Sequence, residues 1–244
     1  MQSGEWKAIL SLAEDPYERQ LHYCPDVRDL ALIRQNLRHV NGRIWLNAFL
    51  KADGSVQLST RKDTEAGEAD LGQVLEAFPR QNFHLRLQEK SMAAYTQIMA
   101  TIHQYNASGR ISISGGNLWW NRKISHIYPG TIILTDQDIP FLYLPKSFSP
   151  LFVTEIAVTY RKDYLATGSP SFIERCHRQG LRLDFQNVAD KQTAQMLLDQ
   201  GADGIVTPEP GDFAALFPLR KSTRTQKARR PVGARKEKQV SVSV

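Results

Sequence analysis

Between Gly180 and Pro210 the chain reads GLRLDFQNVADKQTAQMLLDQGADGIVTPEP, one strand, helix and strand unit with no residues to spare. Leu181, Leu183 and Phe185 alternate with Arg182, Asp184 and Gln186, the two-residue period of a strand with one face buried. Asp190 caps the following helix, Ala194, Leu197 and Leu198 share one of its faces, and Gly201 supplies the left-handed residue that closes it. Gly204 to Thr207 begins the next strand. A crossover helix between two strands implies parallel pairing, and this excludes a sheet built only of hairpins.

The same unit recurs along the chain. Short apolar or β-branched runs lie at Arg19 to Cys24, Arg43 to Leu50, Asn82 to Gln88, Arg110 to Ser114, Thr131 to Thr135 and Glu155 to Tyr160. Helix-compatible stretches lie at Pro25 to Val40, Glu68 to Phe78, Ser91 to Asn106, Leu118 to Ile127 and Pro170 to Gln179, the last with Ser169 as cap and Pro170 at its first position. With the two strands of the opening unit the count is eight. Eight strands alternating with helices predict a closed parallel (β/α)8 barrel of the TIM type, with functional groups at the carboxyl ends of its strands. An open doubly wound sheet is the alternative arrangement.

Composition narrows the class. The 244 residues are 41% hydrophobic, enough for one main core, and mean hydropathy of -0.39 describes a soluble chain. No apolar run approaches the roughly 18 residues of a membrane span, and Met1 to Glu14 lacks the basic start and apolar core of a leader, which predicts a cytoplasmic protein. Cys24 and Cys176 lie far apart, so they offer neither a disulfide framework nor a metal knuckle and are expected to be buried thiols. From Leu219 onward nine basic residues face the single acid Glu237, a charge of +8 that leaves the preceding part at −2 of the chain's +6. Residues 1–218 are therefore expected to form the barrel and 219–244 a disordered basic tail. Nine cations without an aromatic residue suit salt-sensitive contact with nucleic-acid phosphates or an anionic membrane surface, or simply a solvated tail.

These residues carry a resemblance. The stretch from Tyr160 through CHRQGLRL to GADGIVTPEP resembles the carboxyl third of the glycerophosphodiester phosphodiesterase barrel, whose usual ending is Gly-Val-Asp-Gly-Ile-Ile-Thr-Asp followed shortly by Pro. Upstream, RIWLNAFLKADGSVQLS is similar to that family's second strand with its Asp-Gly turn, DLGQVLEAF to the helix before the third strand, and ISISGG to the fourth strand. The resemblance covers Leu21 to Phe217 and is most specific in the last third.

What it implies about chemistry can be followed residue by residue. The family holds a divalent cation such as Mg²⁺ or Ca²⁺ with carboxylates, which neutralises the phosphodiester and activates its attacking oxygen. Where its second strand has Glu, a spacer and Asp, this chain has Trp45 and Asn47. Where its third strand has Glu and then Lys, NFHLRLQEK offers Arg86 and Gln88 or, one pleat on, Gln88 and Lys90. Two unit charges about 4 Å apart interact by roughly 4 kcal/mol at an effective dielectric near 20, so an arginine in place of a glutamate turns attraction of a cation into repulsion. Asn47 could contribute one weak ligand, and Asp53 or Glu89 would have to swing in from a turn or from beyond the strand end.

The acid and base histidines of the family are also replaced. Its opening His-Arg-Gly becomes His22, Tyr23 and Cys24, and its later His-Asp pair becomes Ser59 and Thr60. The stretch from Ser59 to Asn82 is short where the family carries an inserted subdomain, and its Trp-Thr-Val-Asn on the seventh strand becomes Gln186, Asn187, Val188 and Ala189. Glu209 adds an acid where barrels often hold phosphate.

Candidate ligand-pocket residues are therefore Trp45, Asn47, Arg86, Gln88, Gln186 and Asn187, with His22 the one candidate for a catalytic role and no metal ligand predicted. Each also has a plain reading: His22 and His84 as hydrogen-bonded core histidines, and the polar residues as a satisfied layer inside the barrel. Gly115 and Gly116 before Trp119 and Trp120 could offer free backbone donors to an anion or simply turn the chain for helix packing. Two functions are consistent with the pattern. One is a non-catalytic relative of the phosphodiesterases that binds a phosphate-containing small molecule or serves as a scaffold, without a cofactor. The other is a divergent phosphodiesterase acting on glycerophosphodiesters or related phospholipid headgroups with relocated ligands.

Overall fold

A computed structural model of the chain describes residues 18–59, 69–88, 91–115, 118–126, 128, 131–135, 153–160 and 170–217. The basic tail, Thr60, Glu89, Lys90 and Gly116 lie outside them. Ten strands form one sheet: β1 (Gln20–Tyr23), β2 (Ile44–Leu50), β3 (Val56–Ser59), β4 (Ala69–Asp70), β5 (Phe83–Leu87), β6 (Ile111–Ser114), β7 (Thr131–Thr135), β8 (Val153–Thr159), β9 (Arg182–Gln186) and β10 (Gly204–Thr207). Eight of them run parallel in the cyclic order β1, β2, β5, β6, β7, β8, β9, β10 and back to β1, so the sheet closes on itself as a barrel. The open doubly wound arrangement is excluded by that closure.

The closing seam is short. Only Tyr23 and Ile44 pair between β1 and β2, because the later half of the same β2 edge pairs antiparallel with β3, from Asn47 opposite Ser59 to Leu50 opposite Val56. β3 and β4 form a hairpin extension that the strand pattern leaves out. The Asp53–Gly54 turn joins β2 to β3, with Gly54 at φ +84 and the Asp53 carboxylate accepting from the Ser55 N–H.

Helices cover the outside: α1 (Leu30–Asn36), α2 (Leu71–Ala77), α3 (Met92–Gln104), α4 (Leu118–Ser125), α5 (Pro170–Arg178), α6 (Lys191–Asp199) and α7 (Pro210–Phe213). Asp190 caps α6 by accepting from the Thr193 N–H, and Gly201 closes the turn after it at φ +105. The expected helix from Pro25 begins only at Leu30, because Asp29 accepts from the Leu32 N–H and fixes the start there. No helix among the described residues is long and apolar enough to cross a membrane.

Leu21, Leu46, Leu85, Ile113, Leu134, Ile156, Leu183 and Ile205 point outward into the layer between sheet and helices, which is the main core. The opposite face of each strand points into the barrel. Asp184, read above as lying on the open face of a half-buried strand, is therefore fully buried. Closing a sheet hides both of its faces. Inside the barrel, Trp45, Ile133, Ala157 and Val206 form a small separate apolar cluster, with Cys24 packed against it. Of the two cysteines, Cys176 is buried and Cys24 only half-buried.

Candidate functional site

The polar side chains inside the barrel lie at three levels around that apolar cluster. Toward the amino ends of the strands, Arg43 Nη1 reaches across from the start of β2 to both carboxylate oxygens of Glu155 on β8, at 2.7 and 2.8 Å. His22 on β1 accepts a hydrogen bond at Nδ1 from the Arg43 N–H (2.9 Å), so its ring hydrogen sits on Nε2, 3.0 Å from Asp184 Oδ2. His22, Glu155 and Asp184 are the one set of three His, Cys or acidic side chains among the described residues whose ligand atoms converge, within 4.8 Å of one another.

Glycines make room for this cluster. A Cβ at Gly204 would lie 2.4 Å from Asp184 Oδ1, and one at Gly42 would lie 2.6 Å from His22 Nδ1. Burial pushes the Glu155 carboxyl above its ordinary range, with Arg43 pulling it back and Asp184 adding to the rise. Burial likewise raises Asp184, against the hydrogen bond to Glu155 and the nearby Arg182 and Arg43. The two carboxyls titrate as a pair.

At the middle level Trp45 lies between two histidines, with ring centroids 4.0 Å from His84 and 5.9 Å from His22. Its indole N–H is buried and finds no acceptor among the described residues. His84 is bound by Ser112 and Ser114, each 3.1 Å away. Ser112 donates its own hydroxyl to the Phe83 carbonyl, so it accepts from His84 Nδ1–H and leaves Nε2 to accept from Ser114.

Burial holds His84 well below its ordinary value, helped by Arg86, Arg43 and His22. A depressed histidine gives stability that is complete above about pH 6.5 and is lost as pH falls toward the depressed value. The raised Glu155 and Asp184 act in the opposite sense, losing stability as pH rises through their values. Comparison with a His84→Gln variant separates the two. Chemical denaturation between about pH 4.5 and 6.5 should show the wild type losing up to roughly 1.4 kcal/mol more per pH unit of acidification than the variant. Parallel slopes would remove His84 from the account.

The third level is the carboxyl mouth. Asn47 stands opposite Arg86 in the β2–β5 register. Arg86 Nη2 crosses the barrel from β5 to donate to Gln186 Oε1 on β9, at 2.8 Å. Gln88 Nε2 donates to Asn47 Oδ1 (3.0 Å), Asn47 Nδ2 donates to the Ser59 carbonyl (3.2 Å), and Gln186 Nε2 donates to the Ala157 carbonyl (3.2 Å). Asn47, Arg86, Gln88 and Gln186 are thus brought together, with Trp45 a level beneath them.

Other candidates fall elsewhere. Asn187 follows β9 with φ +58, a left-handed turn position, and no hydrogen bond joins it to the ring. His22 belongs to the amino-end cluster and is fully buried. Gly115 spends its N–H on Asn121 Oδ1 and its carbonyl on the Tyr95 hydroxyl, so that donor turns the chain into α4. Glu209 is exposed at the start of α7.

No protein-family model and no curated protein sequence matches the chain. Solved structures do match it. A glycerophosphodiester phosphodiesterase from Parabacteroides distasonis superposes with a TM-score of 0.66 at 13% identity, over 82% of this chain and 98% of that one. The fold is that of the glycerophosphodiester phosphodiesterases. An enzyme of that name from Agrobacterium tumefaciens gives 0.62 at 14% identity, over 81% and 99% of the two chains. A phosphodiesterase from Oleispira antarctica, in complex with its product sn-glycerol-3-phosphate, gives 0.64 at 11% identity, over 85% and 98%. Identity this low speaks to the glycerophosphodiester phosphodiesterase-like barrel alone.

Proposed function

We propose that this glycerophosphodiester phosphodiesterase-like barrel is non-catalytic and serves as a binding or scaffold module, receiving a phosphate-containing small molecule at its carboxyl mouth. The observation that carries this reading is the Arg86 guanidinium braced across the mouth on Gln186, on the same level as the linked amides of Asn47 and Gln88. A hard divalent cation takes carboxylate oxygens, and three amides with a guanidinium do not fit one. They do suit a phosphate oxyanion, which accepts from arginine in charge-assisted hydrogen bonds. The buried Trp45 N–H adds a donor one level down. The basic residues beyond Leu219 would add a salt-sensitive contact with an anionic surface.

The second reading, a divergent phosphodiesterase with relocated ligands, has one set of residues to rest on: His22, Glu155 and Asp184. Their hydrogen bonds speak against it. A metal-bound histidine donates its second ring nitrogen to an acceptor, whereas His22 Nδ1 accepts from a backbone N–H, which leaves the hydrogen on the nitrogen facing Asp184. Both Glu155 oxygens already face a fixed cation, Arg43. Purified protein incubated with glycerophosphocholine and Mg²⁺, Ca²⁺ or Mn²⁺ should release no glycerol phosphate. Turnover abolished by a chelator would favour the divergent enzyme instead.

A further inference from the structure

We propose that the face of α4 bearing Trp119, Arg122 and Lys123 docks the carboxyl mouth of the barrel onto an anionic phospholipid surface. Trp119 is 60% exposed, the most exposed large apolar side chain among the described residues. A single exposed hydrophobic residue needs no explanation by itself. Trp119 differs in being held outward by a chain of contacts that ends in the core.

Lys123, one turn on, places its ammonium 4.5 Å from the Trp119 ring centroid and 5.2 Å from that of Trp120. The two indoles meet edge to face at 4.6 Å, and Trp120 meets Tyr95 in the same way at 5.2 Å. Tyr95 is fully buried and donates its hydroxyl to the Gly115 carbonyl, while the buried Asn121 of α4 accepts from the Gly115 N–H. Gly115 directly follows β6, so these bonds fix the first turns of α4 to the end of the barrel where the strands finish. The aromatic side chain is thereby presented beside the mouth with little rotational freedom left to lose on binding.

Charge identifies the occupant. Arg122 and Lys123 are exposed, and α4, reading LWWNRKIS, contains no acidic residue. An indole with cations one turn away matches a bilayer interface, where the ring enters the headgroup region and the cations meet lipid phosphates. Such docking would turn the Arg86 ring toward the same headgroups. It does not depend on that ring binding phosphate, because the contacts that hold Trp119 lie outside the barrel interior.

The test is co-sedimentation of the full chain with phosphatidylcholine vesicles containing about 30% phosphatidylserine. Trp119→Ala, and separately Arg122→Glu with Lys123→Glu, should weaken capture about tenfold while leaving circular dichroism and the melting temperature unchanged. Brominated lipids should quench part of the tryptophan fluorescence of the wild type, and Trp119→Phe should remove that part. Salt at about 0.5 M screens every exposed cation, so the charge-reversal variant is compared with the wild type at low salt, and the Trp119-dependent share is read at both salt concentrations. Absence of capture, or capture and quenching indifferent to Trp119, would overturn the proposal. So would a lipid-free dimer that Trp119→Ala converts to monomer, since the patch would then join two copies of this chain.

Discussion

Exchanging Arg43 for methionine is expected to destabilise the barrel by about 3 to 5 kcal/mol at neutral pH, because it leaves the buried Glu155 without its cation. Glu155 is only 2% exposed and both of its oxygens accept from Arg43, so the substitution removes the charged donor from both at once. For a barrel of this size the melting temperature should fall by on the order of 10 °C. The loss should shrink below about pH 4, where the carboxyl is protonated in folded and unfolded chains alike. Adding Glu155→Gln to Arg43→Met should restore much of the stability, since the remaining amide carries no charge to desolvate. An Arg43→Met protein that melts like the wild type, or one that Glu155→Gln fails to rescue, would show that the cluster contributes little.

The second large effect concerns the mouth. If Arg86 receives a phosphate group, Arg86→Ala should weaken binding of glycerol 3-phosphate roughly ten- to a hundredfold in a calorimetric titration, the span expected for losing a charge-assisted hydrogen bond. Arg86→Lys should recover only part of it, because a point charge cannot reproduce a planar fork. Chelator should change neither value, whereas a metal-dependent enzyme would lose affinity. An unchanged dissociation constant for Arg86→Ala would place the ligand somewhere other than the mouth.

The fold was legible where physical signals were local. In the unit from Gly180 to Pro210, alternation, an Asp cap and a Gly stop all lie within one turn or one pleat of what they specify, and β9, α6 and β10 follow them closely. The inward direction of Asn47 and Arg86 was legible for a related reason, since a parallel register fixes which side chains share a level. The cross-barrel bond from Arg86 to Gln186 was not, because it joins strands that are not neighbours.

The amino-end cluster was missed for two reasons. Its members come from four distant segments, at positions 22, 43, 155 and 184, and no short pattern connects them. Alternation along β9 also reads as a buried face and an open one, a rule suited to open sheets that fails once the sheet closes on itself. A signal was nonetheless present: Glu155 and Asp184 occupy the third position of their strands, while Gly42 and Gly204 stand where a side chain would collide with the cluster. The hairpin of β3 and β4 was missed because four residues and two are too few to show a period.

The brevity of the join between β1 and β2 has a mechanical result. With one residue pair in register there, the ring depends on a clasp formed by residues 41–43. Asn41 binds the backbone of Arg19 and Leu21 through its amide, Gly42 donates to the Leu21 carbonyl, and Arg43 grips His22 with its N–H and the opposite wall with its side chain. Thermal opening of the hoop should begin at that fastening, so the Gly42 and Tyr23 amides, which donate across it to the Leu21 and Arg43 carbonyls, would exchange with solvent sooner than those of the fully laddered β8 and β9.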